Sequence, residues 1–141
     1  MDLLDITTRI EKNKQTCQMI AHDNLFSSGI VHGYEIHMGK TILGNTAKPI
    51  FDIFKRSGIK ADIKDGTKNH DGKVWGTYIH GIFDNDNFRR AFLKNMRESM
   101  KLPESGLDNL FDKEKEYDKL ASLVRNNVDM KKIYSIMGLK C

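Results

Sequence analysis

Val74-Trp75-Gly76-Thr77-Tyr78-Ile79-His80-Gly81-Ile82-Phe83 is the stretch on which the reading of this chain turns. Residues 74–79 are apolar, aromatic or β-branched apart from Gly76, and they predict a short buried strand. Gly76 and Gly81 mark points where backbone turns or passes close to another element. The strand delivers His80 to a glycine turn. In an α/β enzyme this is a position for a proton-transfer group. The competing reading is a strand-end histidine that only holds a loop, and the ten residues by themselves favour it.

Upstream, Asp71-Gly72 is a hairpin signal directly before this strand, and Asp65-Gly66 is a second. Residues 3–10 (LLDITTRI), 15–21 (QTCQMIA) and 30–38 (IVHGYEIHM) are further strand candidates, with Ser27-Ser28-Gly29 marking a loop between the last two. Within 47–54, the run Ile50-Phe51-Asp52-Ile53-Phe54 follows Pro49 and reads as a strand or a connection. Downstream the period changes. Asp84-Asn85-Asp86-Asn87 offers helix N-caps, and Phe88, Phe92, Met96 and Met100, with Leu93 beside them, form one apolar stripe. Pro103 and Gly106 break the chain. A second helix is expected over 111–126, with Tyr117, Leu120, Ala121 and Val124 on one face. A third is expected from the N-cap Asp129 to Gly138, a C′ glycine, with Ile133, Ile136 and Met137 inward. Strands over 1–83 followed by helices over 84–141 do not alternate as a complete doubly wound domain would. The order suits the back half of an α/β domain.

The 141 residues make about one domain, and 39% hydrophobic with 30% charged residues suits a folded core under a solvated surface. With 23 lysines and arginines against 19 acids, the net charge is +4. Its densest run, Asp112-Lys113-Glu114-Lys115-Glu116, is mixed in sign, so no nucleic-acid surface is expected. No apolar run is long enough to span a bilayer, and the start of the chain lacks the basic and apolar regions of a signal peptide. A cytoplasmic protein is expected, and Cys17 and Cys141 are not expected to form a disulfide there.

The chemistry-bearing residues are few. His32 and His37 fall on opposite faces of a strand, and no histidine, cysteine or acid group has zinc-ligand spacing, so no metal is expected. Glu35 and His37 share a face and either line a polar cleft or lie on a solvent-facing edge. His70, beside a hairpin turn, reads as exposed. Gly39-Lys40-Thr41 ends like a phosphate loop, but Tyr34 stands where that motif needs glycine. Neither Cys17, inside a strand, nor Cys141, at the end of the chain, has the sharp glycine-flanked turn of a nucleophile. If His80 is a general base, its partner is not in these residues.

Two segments read together resemble a known family: Gly33-Tyr34-Glu35-Ile36-His37-Met38-Gly39-Lys40-Thr41, and residues 71–86 from Asp71-Gly72-Lys73 through His80-Gly81-Ile82-Phe83 to Asp84-Asn85-Asp86. Both are similar to the C-terminal glutamine amidotransferase domain of cobyric acid synthases. Leu3-Leu4-Asp5-Ile6 and the stretch from Val128-Asp129 to Gly138-Leu139 are similar more loosely, so the likeness covers nearly the whole chain. The resemblance implies the C-terminal portion of a flavodoxin-like class I glutamine amidotransferase domain. In that family a cysteine attacks the glutamine amide and a histidine, matching His80, moves the proton. The ammonia then passes to a synthetase domain that uses ATP and magnesium to amidate corrinoid carboxylates. Common triad amidotransferases carry a glutamate two residues after the histidine. Here Ile82 stands there, so another group must hold His80, and Glu35 is the candidate.

The family's nucleophile lies upstream of the match to Leu3-Leu4-Asp5. The expectation is therefore a chain inactive by itself, without a cofactor of its own, completed by a partner that carries the cysteine. The alternatives are a non-catalytic amidotransferase-like binding module, a subunit of a split enzyme, and a fragment of the related cobyrinic acid a,c-diamide synthase. An exposed sheet edge implies self-association or a rearranged sheet.

Overall fold

The computed structural model describes residues 3–103 and 113–139, in two units, Met1–Gly106 and Leu107–Cys141. In the first, strand β1 (Ile6–Asp23) runs antiparallel to β2 (Gly29–Leu43). The two strands expected at 3–10 and 15–21 are one. Glu11-Lys12-Asn13-Lys14, the polar run between them, is a bulge: pairing stops at Ile10–Gly39 and resumes at Gln15–His37. A bulge bends a strand without ending it. At the other end the buried carboxylate of Asp23 accepts the amides of Leu25, Phe26 and Ser28 and the Ser28 hydroxyl. The loop foreseen at Ser27-Ser28-Gly29 is held that way.

Strand β3 (Phe51–Arg56) pairs with β1, and β4 (Ile59–Asp65) pairs with β3, giving an antiparallel sheet in the order β2-β1-β3-β4. The sequence reading missed β4. Its signal was Ser57-Gly58, whose φ values of 44° and 85° supply the two left-handed residues of a tight hairpin turn. A parallel core is not among the described elements; the order of strands first and helices last is.

The strand expected over 74–79 is corrected. Only Trp75–Gly76 (β6) pairs, with Thr67–Lys68 (β5), around the foreseen Asp71-Gly72 turn. Beyond it Thr77 and Tyr78 turn to a side chain: Asp65 Oδ2 accepts the Thr77 hydroxyl and the Tyr78 amide. Ladder pairing returns at one residue, His80, bridged to Tyr34. Ile79 and Ile82, on either side of it, enter the core with Met19, Ala21, Val31, Ile50, Phe51, Ile53 and Phe88.

A 3-10 turn (Ile82–Asp84) leads into α1 (Asp86–Ser99). Phe88 is fully buried, with its ring against Phe26, Phe51, Trp75 and Phe83, and Phe92 joins the same cluster. The stripe then runs out: Met96 is 42% exposed and Met100 61%. Periodicity names the apolar face but does not guarantee a neighbour that covers it.

The second unit holds α2 (Lys113–Asn127) and α3 (Met130–Ile136). Asp129 caps α3 by accepting the Lys132 amide at 3.0 Å, and Gly138 ends it at φ 71°. Both follow the sequence reading. Tyr117, Leu120 and Val124, grouped on one face of α2, are exposed, and so are Ile136 and Met137, which were expected inward. Phe111, at the expected start of the second helix, and Cys141 lie outside the described residues. Among the described residues no helix is long and apolar enough to cross a membrane.

Phe88→Ala removes a ring from a closed aromatic cluster, and a loss of about 3–5 kcal/mol is expected. Met96→Ala, at an exposed position, should cost less than about 0.5 kcal/mol. Urea denaturation followed by Trp75 fluorescence measures both.

Candidate functional site

The period of two along β2 divides its chemistry between two faces. Val31, Gly33, Glu35 and His37 face inward, while Ile30, Tyr34, Ile36 and Met38 face out, each of these four 41–50% exposed. His80 lies on the outer side. Its amide donates to the Tyr34 carbonyl at 2.8 Å, and its carbonyl accepts the Tyr34 amide at 3.2 Å. The imidazole is exposed and stacks on the Tyr34 ring, centroids 5.1 Å apart and planes within 10°. Among the described residues the ring has no hydrogen bond or ion pair, so both nitrogens are available to a reacting group. Gly81 follows at φ 75°, the left-handed turn the sequence implied. Ile82, at the position of the triad acid, is a core side chain.

On the inner side lies a second polar group. Glu35 is 2% exposed, and its Oε2 accepts Arg56 Nε at 2.7 Å, Arg56 Nη2 at 2.5 Å and the Cys17 thiol at 3.3 Å. Its Oε1 lies 3.4 Å from His37 Nε2, which is too loose for a hydrogen bond and leaves that buried nitrogen without one among the described residues. His37 Nδ1 bonds the Gly39 carbonyl at 2.7 Å, and the ring stacks on Tyr78 at 4.0 Å. Glu35 and His37 line a cavity of about 650 Å³ with Arg56, Asp65, Thr67 and Tyr78. The structure does not bring Glu35 to His80. The carboxylate is engaged on one side of β2 and the imidazole lies on the other.

This arrangement sets the local electrostatics. Burial raises the Cys17 thiol, and the adjacent Glu35 carboxylate raises it further. Cys17 is thus held as a neutral thiol donor, the opposite of an activated nucleophile. Burial opposes charge on Arg56, but its bonds to Glu35 prevail and its pKa is raised. Asp65 is raised, mainly by burial, against the bonds from Thr77 and Tyr78 that favour its charged form. Neither Asp65 nor Arg56 was singled out from sequence. Asp65 showed only as half of a turn signal, and Arg56 carried none.

Gly39-Lys40-Thr41 lies inside β2, extended rather than looped, so it builds no phosphate cradle. Among the described residues no group of three or more histidines, cysteines and acids is placed to hold a metal ion. His32 and His70 are exposed, His32 on the outer face of β2 and His70 at the hairpin turn.

Comparison with known proteins gives the family whose members are described as CobB/CobQ-like glutamine amidotransferase domains, matched over residues 1–88. Among curated relatives, the cobyric acid synthase of Dehalococcoides mccartyi strain CBDB1 is 48% identical over 98% of this chain and 28% of its own length. That of Thermoanaerobacter sp. strain X514 is 44% identical over 97% and 29%. That of Clostridium botulinum strain Kyoto is 43% identical over 99% and 29%. The chain thus spans less than a third of the length of these relatives.

The raised Asp65 carboxyl predicts a pH signature. It binds its proton more tightly folded than unfolded, so its contribution to stability is full below the ordinary carboxylate value and is lost as pH rises through the folded value. Asp65→Asn keeps an acceptor for Thr77 and Tyr78 but does not titrate. Thermal melts from acid to neutral pH should show the wild type losing stability relative to this variant. Parallel curves would contradict the assignment.

Proposed function

Because the chain belongs to the family of CobB/CobQ-like glutamine amidotransferase domains, we propose that it supplies the proton-transfer half of a glutamine-hydrolysing site, within the C-terminal part of a cobyric acid synthase. The observation that supports this is His80 itself. It sits exposed at a left-handed glycine turn, stacked on Tyr34, inside the region matched by the family. The finer fold reading, a flavodoxin-like domain of which this antiparallel sheet is one portion, belongs to the same proposal.

The reaction runs in two halves. A cysteine carried by another part of the enzyme gives its proton to His80 and attacks the side-chain amide carbon of glutamine. The carbon–nitrogen bond breaks as His80 returns the proton to the leaving nitrogen, freeing ammonia and leaving a thioester. Water then attacks the thioester carbon with His80 taking its proton; the carbon–sulfur bond breaks, His80 returns the proton to the cysteine sulfur, and glutamate leaves. The ammonia would then go to an ATP- and magnesium-dependent domain that amidates corrinoid carboxylates. The work is placed in the cytoplasm. The non-catalytic binding module and the split-enzyme subunit share the same surfaces and differ only in whether turnover follows assembly. The cobyrinic acid a,c-diamide synthase alternative would keep the same role for His80.

By itself the chain should release no ammonia from glutamine. Co-expressed with a polypeptide carrying the nucleophile half, it should do so, and His80→Ala should lower the rate by at least 10²-fold. Ammonia release by the purified chain alone, or full activity of the assembled His80→Ala enzyme, would refute the proposal. Without a partner, the outer face of β2 and the open edge of β4 stay uncovered. Light scattering of the isolated chain should therefore give a mass above that of a monomer.

A further inference from the structure

We propose that Asn85 is the positioning residue for His80. The claim rests on the reading of His80 as a proton-transfer group. From sequence Asn85 is an N-cap, and by backbone it does occupy the residue before α1, at φ −81° and ψ 112°. A capping asparagine gives its side-chain oxygen to an amide of the first helical turn. Asn85 makes no such bond. Its Oδ1 instead accepts the His32 amide at 2.8 Å, while its Nδ2 donates to the His32 carbonyl at 2.8 Å. The same Nδ2 also donates to the Ile82 carbonyl at 2.9 Å and lies 3.3 Å from that of Gly81.

A primary amide that meets both the N–H and the C=O of one residue reproduces a rung of an antiparallel ladder. His32 lies two residues before Tyr34, whose peptide forms the main-chain rung with His80. The edge of β2 therefore carries two rungs, one of main chain at Tyr34–His80 and one of side chain at His32–Asn85. The turn between them contains Gly81 at φ 75° and the 3-10 residues Ile82–Asp84. Tied at both ends, this turn fixes where the His80 backbone leaves the sheet, and the stack on Tyr34 then fixes the ring. The arrangement provides by geometry what a triad acid provides by hydrogen bonding.

The bond pattern yields a diagnostic substitution. Aspartate caps helices as well as asparagine and suits the helix dipole better. It lacks the Nδ2 hydrogens, however, and would set a carboxylate against the carbonyls of His32 and Ile82. Asn85→Asp thus leaves a good N-cap residue before α1 and destroys the rung.

Amide hydrogen exchange on the 141-residue chain reads the rung directly. In Asn85→Asp, and likewise in Asn85→Ala, protection of the His32, Tyr34 and His80 amides should fall at least tenfold while the Met19 and Ala21 amides keep theirs. In the enzyme assembled with its nucleophile half, Asn85→Asp should lower kcat for glutaminase about 10- to 100-fold with KM for glutamine within twofold, as a misplaced catalytic group does. Unchanged protection of His80 in Asn85→Asp overturns the proposal, as does a loss of protection spread equally over the core in both variants. If His80→Ala abolishes turnover and Asn85→Asp leaves kcat intact, the functional reading stands and the positioning role falls. If His80→Ala retains turnover, both fall.

Discussion

Gly33 sets the constraint on which the rest of this structure depends. The chain at Ile79 and His80 passes so near β2 that a Cβ at position 33 would lie 2.5 Å from the His80 carbonyl oxygen and 2.6 Å from Ile79 Cγ2. No other residue leaves room for that approach. The approach allows Tyr34 and His80 to exchange both backbone hydrogen bonds, and direct opposition across an antiparallel pair brings their rings together. With the pairing fixed, Ile79 points inward and His80 outward. The left-handed Gly81 then returns the chain to the core at Ile82, from which Phe88 is reached. One missing side chain thus joins the sheet, the exposed imidazole and the aromatic core.

Local rules were legible wherever the structure is local. The period of two on β2 divided Glu35 and His37 from Tyr34, Ile36 and Met38 correctly. Asp129 and Gly138 bound α3 as capping chemistry predicts, and Asp71-Gly72 made its hairpin. What failed depended on partners distant in sequence. A polar run such as Glu11-Lys12-Asn13-Lys14 reads the same whether a strand ends there or bulges. Thr77 and Tyr78 have strand propensity, but a buried carboxylate rather than a neighbouring strand takes their hydrogen bonds. Met96 and Met100 continue the stripe of Phe88 and Phe92 past the point where the core has anything to set against them.

The site divides in the same way. A histidine on a glycine turn shows in ten residues. The groups around Glu35 do not, because Cys17, Arg56 and Glu35 come from three strands and meet only through the register of the sheet. Tyr34 as the partner of the imidazole required knowing that residue 34 lies opposite residue 80. The same register removed Glu35 as a support for His80: parity places it on the other face of the strand that carries Tyr34.

The two rungs along β2 also bear on the order of folding. The pairs β1–β2 and β3–β4 close over short loops, so these hairpins form early and at small entropic cost. The His32–Asn85 contact joins residues 53 apart and can be made only once β2 exists to receive it. The contact that holds the segment bearing the imidazole accordingly forms after the β1–β2 hairpin and can open without it. A nascent chain would carry its two hairpins before it carries a formed site, and transient local opening would release the imidazole without unfolding the sheet beneath it.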